Sequence, residues 1–202
     1  MTSCRIKVGT VSHLIDMVVE VEDSAQSNAS KAMGQMEVKC LEKDVNNVTD
    51  SLMDDLREEF ASLATLTDFN RTGAQVKPLY ASTSKIVCEM TVGPEHINAK
   101  GTLHGGQTAA LTDIVTARAL GLTIRDHPLA SIEISVSYFL PVKLGDVVEI
   151  TAHVLKLGRN VAFTEAEFRR KSDGKLAAKG RHTVAILPKQ AQATEGAKVA
   201  QF

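Results

Sequence analysis

Residues 98–113 read NAKGTLHGGQTAALTD, and this stretch runs from an irregular loop into a helix predicted from about Gly105 to Leu122. Apolar residues cover most of the circumference of that helix; they are Ala109, Ala110, Leu111, Ile114, Val115, Ala117, Ala119 and Leu120. A helix that is apolar on most sides is buried rather than laid on a surface. The sequence therefore predicts a domain built around one central helix.

Strand patterns occupy the chain on both sides of this helix. Before it, residues 85–92 (KIVCEMTV) alternate as a strand does. After it, the pattern continues in four segments, residues 130–139, 146–157, 162–170 and 175–187. The last three are separated by GRN (158–160) and SDG (172–174), which are typical of hairpin turns. This order predicts an α+β fold in which an antiparallel sheet wraps around the helix.

The two ends of the chain differ from this region. Residues 1–48 are predicted to be an amino-terminal extension, partly disordered because the polar run at 22–31 cannot bury enough apolar surface to order itself. Residues 49–187 are the predicted domain, and residues 188–202 are a polar carboxyl-terminal tail.

A further helix is predicted from Asn47, with Thr49 or Asp50 as its cap. Its apolar face repeats at helical spacing and consists of Leu52, Leu56, Phe60 and Leu63. We expect this helix to pack on the edge of the domain.

Charge and cysteine content exclude several classes of function. The 23 basic and 24 acidic residues give a formal net charge of -1, so no field would gather nucleic acid or anionic lipid. The three cysteines lack the spacing of zinc ligands or of a disulfide framework, which favours a reducing compartment and predicts no metal site. No run of about 18 apolar residues is present for a membrane span, and acidic residues come too early for a signal peptide. We expect a soluble intracellular protein without a nucleic acid partner.

The sequence His104-Gly105-Gly106 lies where the loop becomes the helix. Backbone N–H groups of a first helical turn have no intrahelical acceptor and lie at the positive end of the helix dipole. They are able to stabilise an oxyanion, and glycine removes the side chains that would hold a ligand carbonyl away. The alternative is that the two glycines only permit a tight turn.

Asp113 is an acidic residue amid the apolar positions of the helix predicted to be buried. A buried carboxylate without donors is costly, and such a group is suited to act as a base or nucleophile near neutral pH. The alternative is a structural role through a hydrogen bond to nearby backbone.

The spacing between Asp113 and His104 constrains how they act together. Nine residues correspond to about 13 Å along a helix and about half a turn around it. Two residues so placed cannot face one small substrate from the same helix. If both are catalytic, Asp113 serves the helix N-terminus of a second copy of the chain, which predicts a two-fold homodimer with shared sites.

Three serines interrupt the strand predicted at residues 130–139. Strict alternation places Ser131, Ser135 and Ser137 on one face with Glu133, opposite an apolar face of Ile132, Ile134 and Val136. One hydroxyl on that face could hold a water molecule for attack. Polar residues on the outward face of a strand are the ordinary alternative.

These features together resemble a known family. Residues 98–113 are similar to the signature of hotdog-fold thioesterases of the phenylacetyl-CoA thioesterase type, and the resemblance extends over about residues 66–187. It is also carried by SYFLPVKLGD (137–146), ITAHVLKLGRNVAFT (150–164) and DGKLAAKGRHT (173–183). The resemblance implies hydrolysis of medium-chain, long-chain or aryl acyl-CoA in fatty acid metabolism, in the cytoplasm or mitochondrion. It implies no cofactor, since CoA is part of the substrate, and a homotetramer made of two dimers.

The resemblance also implies roles for individual residues. Asn98 and the backbone N–H of Gly105 match the groups that polarise the thioester carbonyl, and His104 matches the residue that orients their loop. Asp113 matches the general base or nucleophile, contributed by the facing subunit, and Ser131 matches the hydroxyl that positions the attacking water. The positions that match substrate and CoA binding are His182, Tyr138, Lys143, Lys156, Gly158, Arg159 and Asn160.

Two other functions fit the same sequence. In a hotdog hydratase or dehydratase acting on acyl thioesters, His104 rather than Asp113 would be the base. In a non-catalytic acyl-CoA-binding protein, the extension would recruit a partner. The presence of Asn98 and Ser131 favours the thioesterase. Small residues on the helix further suggest an open groove beside it; they are Thr108, Ala109, Ala110 and Thr112.

Overall fold

The computed structural model describes residues 48–125 and 127–189. These residues belong to a compact unit that begins at Val48. The predicted extension and tail lie outside the described residues, apart from residues 48, 188 and 189. Within the described part of the chain, no helix is long and apolar enough to cross a membrane.

Six strands form one sheet, and every neighbouring pair in it is antiparallel. They are β1 (Lys77–Ala81), β2 (Lys85–Thr91), β3 (Leu129–Tyr138), β4 (Val147–Leu157), β5 (Val161–Arg170) and β6 (Leu176–Ile186). Their order across the sheet is β1-β2-β4-β5-β6-β3, so β1 and β3 are its edges. The five predicted strands are confirmed, each within one residue of its expected ends.

The alternation pattern did not predict β1. This strand is short, carries Pro78 and is irregular between Pro78 and Tyr80 where it pairs with β2. Proline and bulges both belong to edge strands, where an unpaired N–H costs nothing, and both break a period of two.

The central helix, α2 (Gly105–Gly121), confirms the predicted buried helix. It connects β2, near one edge of the sheet, to β3 at the other edge, and it contacts β3, β4, β5 and β6 on the way. Its Leu111, Val115 and Ala119 are fully buried in one core with Ile150 of β4 and Phe168 of β5. Burial of this apolar surface holds the helix against the sheet and so fixes the positions of its two ends.

A second helix, α1 (residues 48–63), contributes to the same core. Its predicted apolar face is confirmed, because all four side chains are at most 6% exposed: Leu52, Leu56, Phe60 and Leu63. One expectation was wrong, because Thr49 and Asp50 lie within the helix rather than capping it. The packing of this helix on the edge of the domain stays a prediction.

The two predicted hairpin turns are present. Gly158 donates its N–H to the carbonyl of Val161 at 3.0 Å, which closes the turn between β4 and β5. Between β5 and β6, Gly174 has φ +65°, a conformation that L side chains rarely adopt. These turns place β4, β5 and β6 side by side over α2.

Candidate active site

A cleft of about 550 Å³ opens at the amino-terminal end of α2. Its lining comes from the loop before the helix, the first turn of the helix, the segment after β3, and the facing parts of β5 and β6: Asn98, Thr102, Leu103, Gly105, Gly106, Thr108, Tyr138, Phe139, Leu140, Pro141, Val142, Phe168, Ala177 and Ala178. Most of these side chains are apolar, with a few polar groups near the helix terminus. Such a lining suits an apolar ligand that carries one polar centre.

The loop before α2 fixes the orientation of the Asn98 amide. Its Oδ1 accepts hydrogen bonds from the backbone N–H of Lys100 at 2.8 Å and of Thr102 at 3.4 Å. Its Nδ2 donates to Thr102 Oγ1 at 3.0 Å, which uses one of its two hydrogens. Because backbone donors hold the oxygen, Nδ2 is the end of the amide that is able to donate to a ligand in the cleft.

His104 is the N-cap of α2. Its Nδ1 accepts a hydrogen bond from the backbone N–H of Gly106 at 2.8 Å, so in the neutral ring the proton is on Nε2. A Cβ at position 106 would lie 3.0 Å from this nitrogen. The close approach of the His104 ring therefore explains why position 106 is glycine. Both glycines are helical, so the alternative of a tight turn that needs glycine backbone freedom does not hold.

Tyr138 covers the first residue of the helix. Its hydroxyl donates to the carbonyl of Gly105 at 2.8 Å, and a Cβ at position 105 would lie 3.2 Å from that hydroxyl oxygen. Partial burial raises the pKa of Tyr138, which keeps the hydroxyl a donor. The predicted CoA-binding position Tyr138 and the predicted carbonyl-binding group Gly105 N–H therefore line the same cleft.

Asp113 lies in the middle of α2, in contact with β3 and β6. Its Oδ1 accepts a hydrogen bond from Ser131 Oγ at 2.9 Å, and His182 Nε2 lies 3.3 Å from the same oxygen. The structure thus brings together three of the predicted site residues. The expectation that Asp113 is buried was wrong for the single chain, because its side chain is 43% exposed beside the edge strand β3.

Ser131 reaches Asp113 because β3 contains a bulge. Ser131 pairs with Val184 and Glu133 with Thr183, so Ile132 is an extra residue in the ladder. The bulge reverses the alternation, and Ser131 shares the helix-facing side with Ile134 and Val136. The predicted common face of Ser131, Glu133, Ser135 and Ser137 was therefore wrong.

His182 is buried beneath Asp113, with 1% of its side chain exposed. Burial lowers the pKa of His182, and the negative charge of Asp113 acts in the opposite direction. Direct contact with CoA, expected from the resemblance, does not fit this burial. Its ring instead faces Asp113 on one side and Thr116 Oγ1, at 2.6 Å from Nδ1, on the other.

The two groups of site residues are well separated within one chain. Asp113 follows Gly105 by eight residues, about 12 Å along the helix axis. His182 and the cleft residue Ala178 are four residues apart on β6, about 13 Å. One chain therefore presents a carbonyl-binding end and an acidic end as separate surfaces.

The other predicted CoA-binding residues divide in the same way. Lys143 is exposed and forms a bridge to Thr102 beside the cleft. The end of β4, with Lys156, and the turn after it, with Gly158, Arg159 and Asn160, lie at the acidic end, because Ala162 and Ser131 both pair with Val184.

Sequence reasoning missed a row of buried threonines on α2. Thr108, Thr112 and Thr116 are at most 3% exposed and face the sheet. Of the small residues that suggested a groove, Thr108 lines the cleft and Thr112 is fully buried. The spacing of four residues along a helix predicted to be buried is the signal in the sequence that could have found this row. A Cβ at Gly180 would lie 2.4 Å from Thr112 Oγ1.

Among residues 48–125 and 127–189, no group of three or more His, Cys, Asp or Glu side chains is placed to hold a metal ion. The polar chemistry of the described site consists of carboxylate, imidazole, hydroxyl, amide and backbone groups.

Comparison with known proteins groups this chain with thioester hydrolases. Residues 100–177 match the family described as Thioesterase superfamily. Human acyl-coenzyme A thioesterase 13 is 43% identical over 133 residues, which are 66% of this chain and 95% of that protein. A Caenorhabditis elegans protein named only as an esterase is 56% identical over 150 residues, 70% of this chain and 89% of its own. The crystal structure of zebra fish thioesterase superfamily member 2 is similar, with a TM-score of 0.64 and 38% identity over 66% of this chain and 97% of that one.

Proposed function

The chain belongs to the thioesterase superfamily, and from that premise we propose that it hydrolyses acyl-CoA thioesters to a free acid and CoA. The observation that carries the proposal is the Asp113 carboxylate bound to the Ser131 hydroxyl, on the same helix whose first turn lines an apolar cleft. A carboxylate beside a hydroxyl is able to activate water, and a helix N-terminus is able to stabilise the oxyanion that results.

On the cleft side, the thioester carbonyl oxygen lies at the first turn of α2. The backbone N–H of Gly105 has no intrahelical acceptor at this position and donates to that oxygen. Asn98 Nδ2, held by its loop, supplies the second donor. One donor to a developing oxyanion typically contributes about 10²- to 10³-fold to the rate.

On the acidic side, Asp113 acts as a general base toward water. Ser131 Oγ donates to Asp113 and retains lone pairs that accept a hydrogen bond from the same water. The water oxygen bonds to the carbonyl carbon while its proton passes to the carboxylate. When the intermediate collapses, the carbon–sulfur bond breaks and the proton goes to the departing CoA thiolate.

The complete site requires a second copy of the chain. Strand β3 is an edge of the sheet, and it exposes Ile132 and Ile134 by 57% and 36%. An exposed apolar edge is a surface for pairing with another strand. In a two-fold dimer, β3 of one chain pairs antiparallel with β3 of the other, and the symmetry axis passes through the middle of the strand. This pairing brings Ser131 of one chain close to Val136 and Tyr138 of the other. The acidic end of each chain then meets the cleft of the other, which resolves the separation within one chain.

The same arrangement divides CoA binding between the two chains. Tyr138 and Lys143 contact the substrate from the chain that provides the cleft, and the turn at residues 156–160 contacts it from the chain that provides Asp113. Lys156 and Arg159 are exposed there and suit the CoA phosphates. Hydrolysis by these groups requires no cofactor.

The acyl group lies among the apolar residues of the cleft. Phe139, Leu140 and Phe168 suit a medium-chain, long-chain or aryl acyl group, as in fatty acid metabolism. We propose a homotetramer of two such dimers. The free, buried thiol of Cys88 fits a reducing compartment, the cytoplasm or the mitochondrion.

The geometry of His104 argues against the hydratase and dehydratase alternative. A base needs a free lone pair, and Nδ1 of His104 already accepts from Gly106 N–H, which leaves a protonated Nε2. The Asp113–Ser131 contact favours catalysis over a purely binding role, because a carboxylate beside a hydroxyl is placed to activate water.

Replacing the base tests the proposal directly. Asp113→Asn keeps the shape of the side chain, and we expect kcat for acyl-CoA to fall about 10²- to 10⁴-fold with KM nearly unchanged. Asp54→Asn, which alters an exposed carboxylate on α1, is the matched control. Release of free thiol is measured over a panel of medium-chain, long-chain and aryl acyl-CoA substrates. Wild-type turnover by Asp113→Asn would refute the role of Asp113 as the general base.

Mixing two defective variants tests the shared site. Asn98→Ala and Asp113→Asn are each impaired, and a mixture allowed to exchange subunits contains heterodimers with one intact site out of two. Since half of the dimers are then heterodimers, activity should recover to about one quarter of the wild-type value. If each site lies within one chain, the mixture stays as inactive as its parents.

A further inference from the structure

Asn98 and Thr102 close the turn that precedes α2. The N–H of Asn98 donates to the carbonyl of Thr102 at 2.9 Å, and the N–H of Gly101 donates to the carbonyl of Asn98 at 2.9 Å. Gly101 has φ +72°, a conformation that allows the chain to reverse within these residues. The turn therefore brings the side chain of Thr102 back onto that of Asn98.

The Thr102 hydroxyl contacts both ends of the Asn98 amide. Its Oγ1 accepts a hydrogen bond from Nδ2 at 3.0 Å and donates one to Oδ1 at 3.2 Å. The backbone N–H groups of Lys100 and Thr102 also donate to Oδ1, so the oxygen and the nitrogen of this amide are not interchangeable. Nδ2 has two hydrogens, and binding of one to Oγ1 fixes the direction in which the other points.

Thr102 is itself held against the segment that follows β3. Leu103 donates its N–H to the carbonyl of Val142 at 2.7 Å, and Leu144 donates its N–H to the carbonyl of Gly101 at 3.1 Å. These two bonds lie on either side of the bridge that pairs Thr102 with the same segment. Because backbone bonds before and after Thr102 fix its main chain, its hydroxyl has little freedom to move relative to the cleft.

We propose that Thr102 is a positioning residue that aims the second Nδ2 hydrogen of Asn98 at the thioester carbonyl oxygen. This inference rests on the proposed hydrolysis. The backbone donors of the loop hold Oδ1, whereas Thr102 Oγ1 is the acceptor that binds Nδ2 within the described residues. Asn98 and Thr102 both line the cleft. Because negative charge on the carbonyl oxygen increases in the transition state, a misdirected donor lowers kcat more than it raises KM.

The effect on turnover is measured in three threonine variants. Thr102→Val keeps the shape of the side chain and removes the hydroxyl. We expect kcat for acyl-CoA to fall about three- to thirtyfold with little change in KM, a part of what one oxyanion donor contributes. Thr102→Ser restores a hydroxyl and should restore kcat. Thr123→Val is the matched control, because it removes a hydroxyl that donates to the Thr83 carbonyl at 2.9 Å beyond the other end of α2.

A double variant shows whether Thr102 acts through Asn98. Without the amide the hydroxyl has nothing to aim, so Thr102→Val should lower kcat in the wild-type background but not in an Asn98→Ala background. The rates of the impaired variants are measured in single turnovers with enzyme in excess. If Thr102→Val has wild-type kcat, or if it lowers the rate equally in both backgrounds, the inference is wrong. A general loss of structure would give the second of these results.

The Asn98 amide is also observed without turnover. ¹⁵N relaxation of the full chain reports how rigidly each side-chain NH₂ group is held, and Asn98→Ala identifies the signals of this residue. We expect a high order parameter for Nδ2 in the wild type, Thr102→Ser and Thr123→Val, and a clearly lower one in Thr102→Val. Equal order parameters in the wild type and Thr102→Val would overturn the inference even if the protein is an active thioesterase. An absence of thioesterase activity in the wild type would instead refute the proposed function, and the relaxation data would still decide whether Thr102 holds the amide.

Discussion

A methyl group added at Gly180 tests how closely α2 approaches the sheet. The new Cβ would lie 2.4 Å from Thr112 Oγ1 and 2.5 Å from Thr112 Cγ2, far inside the distance at which such atoms meet. Thr112 is unable to move aside easily, because it is fully buried and its hydroxyl donates to the Thr108 carbonyl. The helix or the strand must therefore shift. Overpacking of this kind typically costs about 1–3 kcal/mol.

The expected loss of stability is large enough to measure. For a domain of this size, 1 kcal/mol corresponds to about 2–4 °C in Tm, so Gly180→Ala should lower Tm by about 2–12 °C. Urea denaturation should show a lower midpoint with an unchanged slope. We also expect lower kcat, because Asp113 follows Thr112 directly and its 2.9 Å contact with Ser131 depends on the position of the helix.

Two further variants isolate the cause. Gly121→Ala makes the same chemical change at the end of α2, where the nearest atom to the new Cβ is 4.0 Å away, and it should be neutral or slightly stabilising. Thr112→Ala removes the two closest atoms, so the double variant should lose less stability than the sum of the single variants. If Gly180→Ala is as stable as Gly121→Ala, or if the double variant is strictly additive, the close approach of helix and strand is refuted.

Three other predictions concern titration and ligand binding. Burial lowers the pKa of His182, so the unfolded chain binds a proton that the folded protein does not as pH falls below about 6.5. Stability should therefore decrease with falling pH in this range, and His182→Gln should flatten the dependence seen in urea denaturation; an unchanged slope would contradict the shift. Burial raises the pKa of Cys88 to about 12, so in a Cys4→Ser, Cys40→Ser background an aromatic disulfide reagent at pH 8 should label Cys88 only after unfolding, and rapid labelling of the folded protein would contradict it. Arg159→Gln should raise KM several-fold for acyl-CoA but not for an acyl-pantetheine that lacks the nucleotide, with Arg57→Gln as control; equal increases for both substrates would argue against phosphate binding at this turn.

The parts of the fold that could be predicted are those in which one local pattern decides the structure. α2 was predictable because apolar residues cover most of it, and β2 to β6 because apolar and polar residues alternate between turn signals. The irregular edge strand β1 was missed, since a proline and a shifted register remove that alternation. The apolar face of α1 was predictable from helical periodicity, which shows which face is buried but not what covers it.

The candidate site was predictable in its residues more than in its contacts. Asn98, Gly105 and Tyr138 do line one cleft, and Asp113 and Ser131 do meet. The contact of His182 with Asp113 joins residues on β6 and α2 that are far apart in sequence, so no local pattern indicates it. Thr116 was missed for a related reason. A buried threonine on a helix usually bonds its own backbone, and only the tertiary structure shows the imidazole beside it.

The position of Ser131 depends on the one extra residue in β3. Glu133, Ser135 and Ser137 pair with Thr183, Arg181 and Lys179, so the side of β3 that they occupy faces away from α2. Without Ile132 as an inserted residue, strict alternation would place Ser131 on that outer side as well. In such a regular strand, the side chain facing Asp113 would be that of Ala130 or Ile132. Neither side chain has a hydrogen-bond donor. The bulge is therefore what gives the Asp113 carboxylate its hydroxyl partner. Because β3 is also an edge of the sheet, the same irregular strand determines the acidic end of the site and offers a surface for pairing with a second copy.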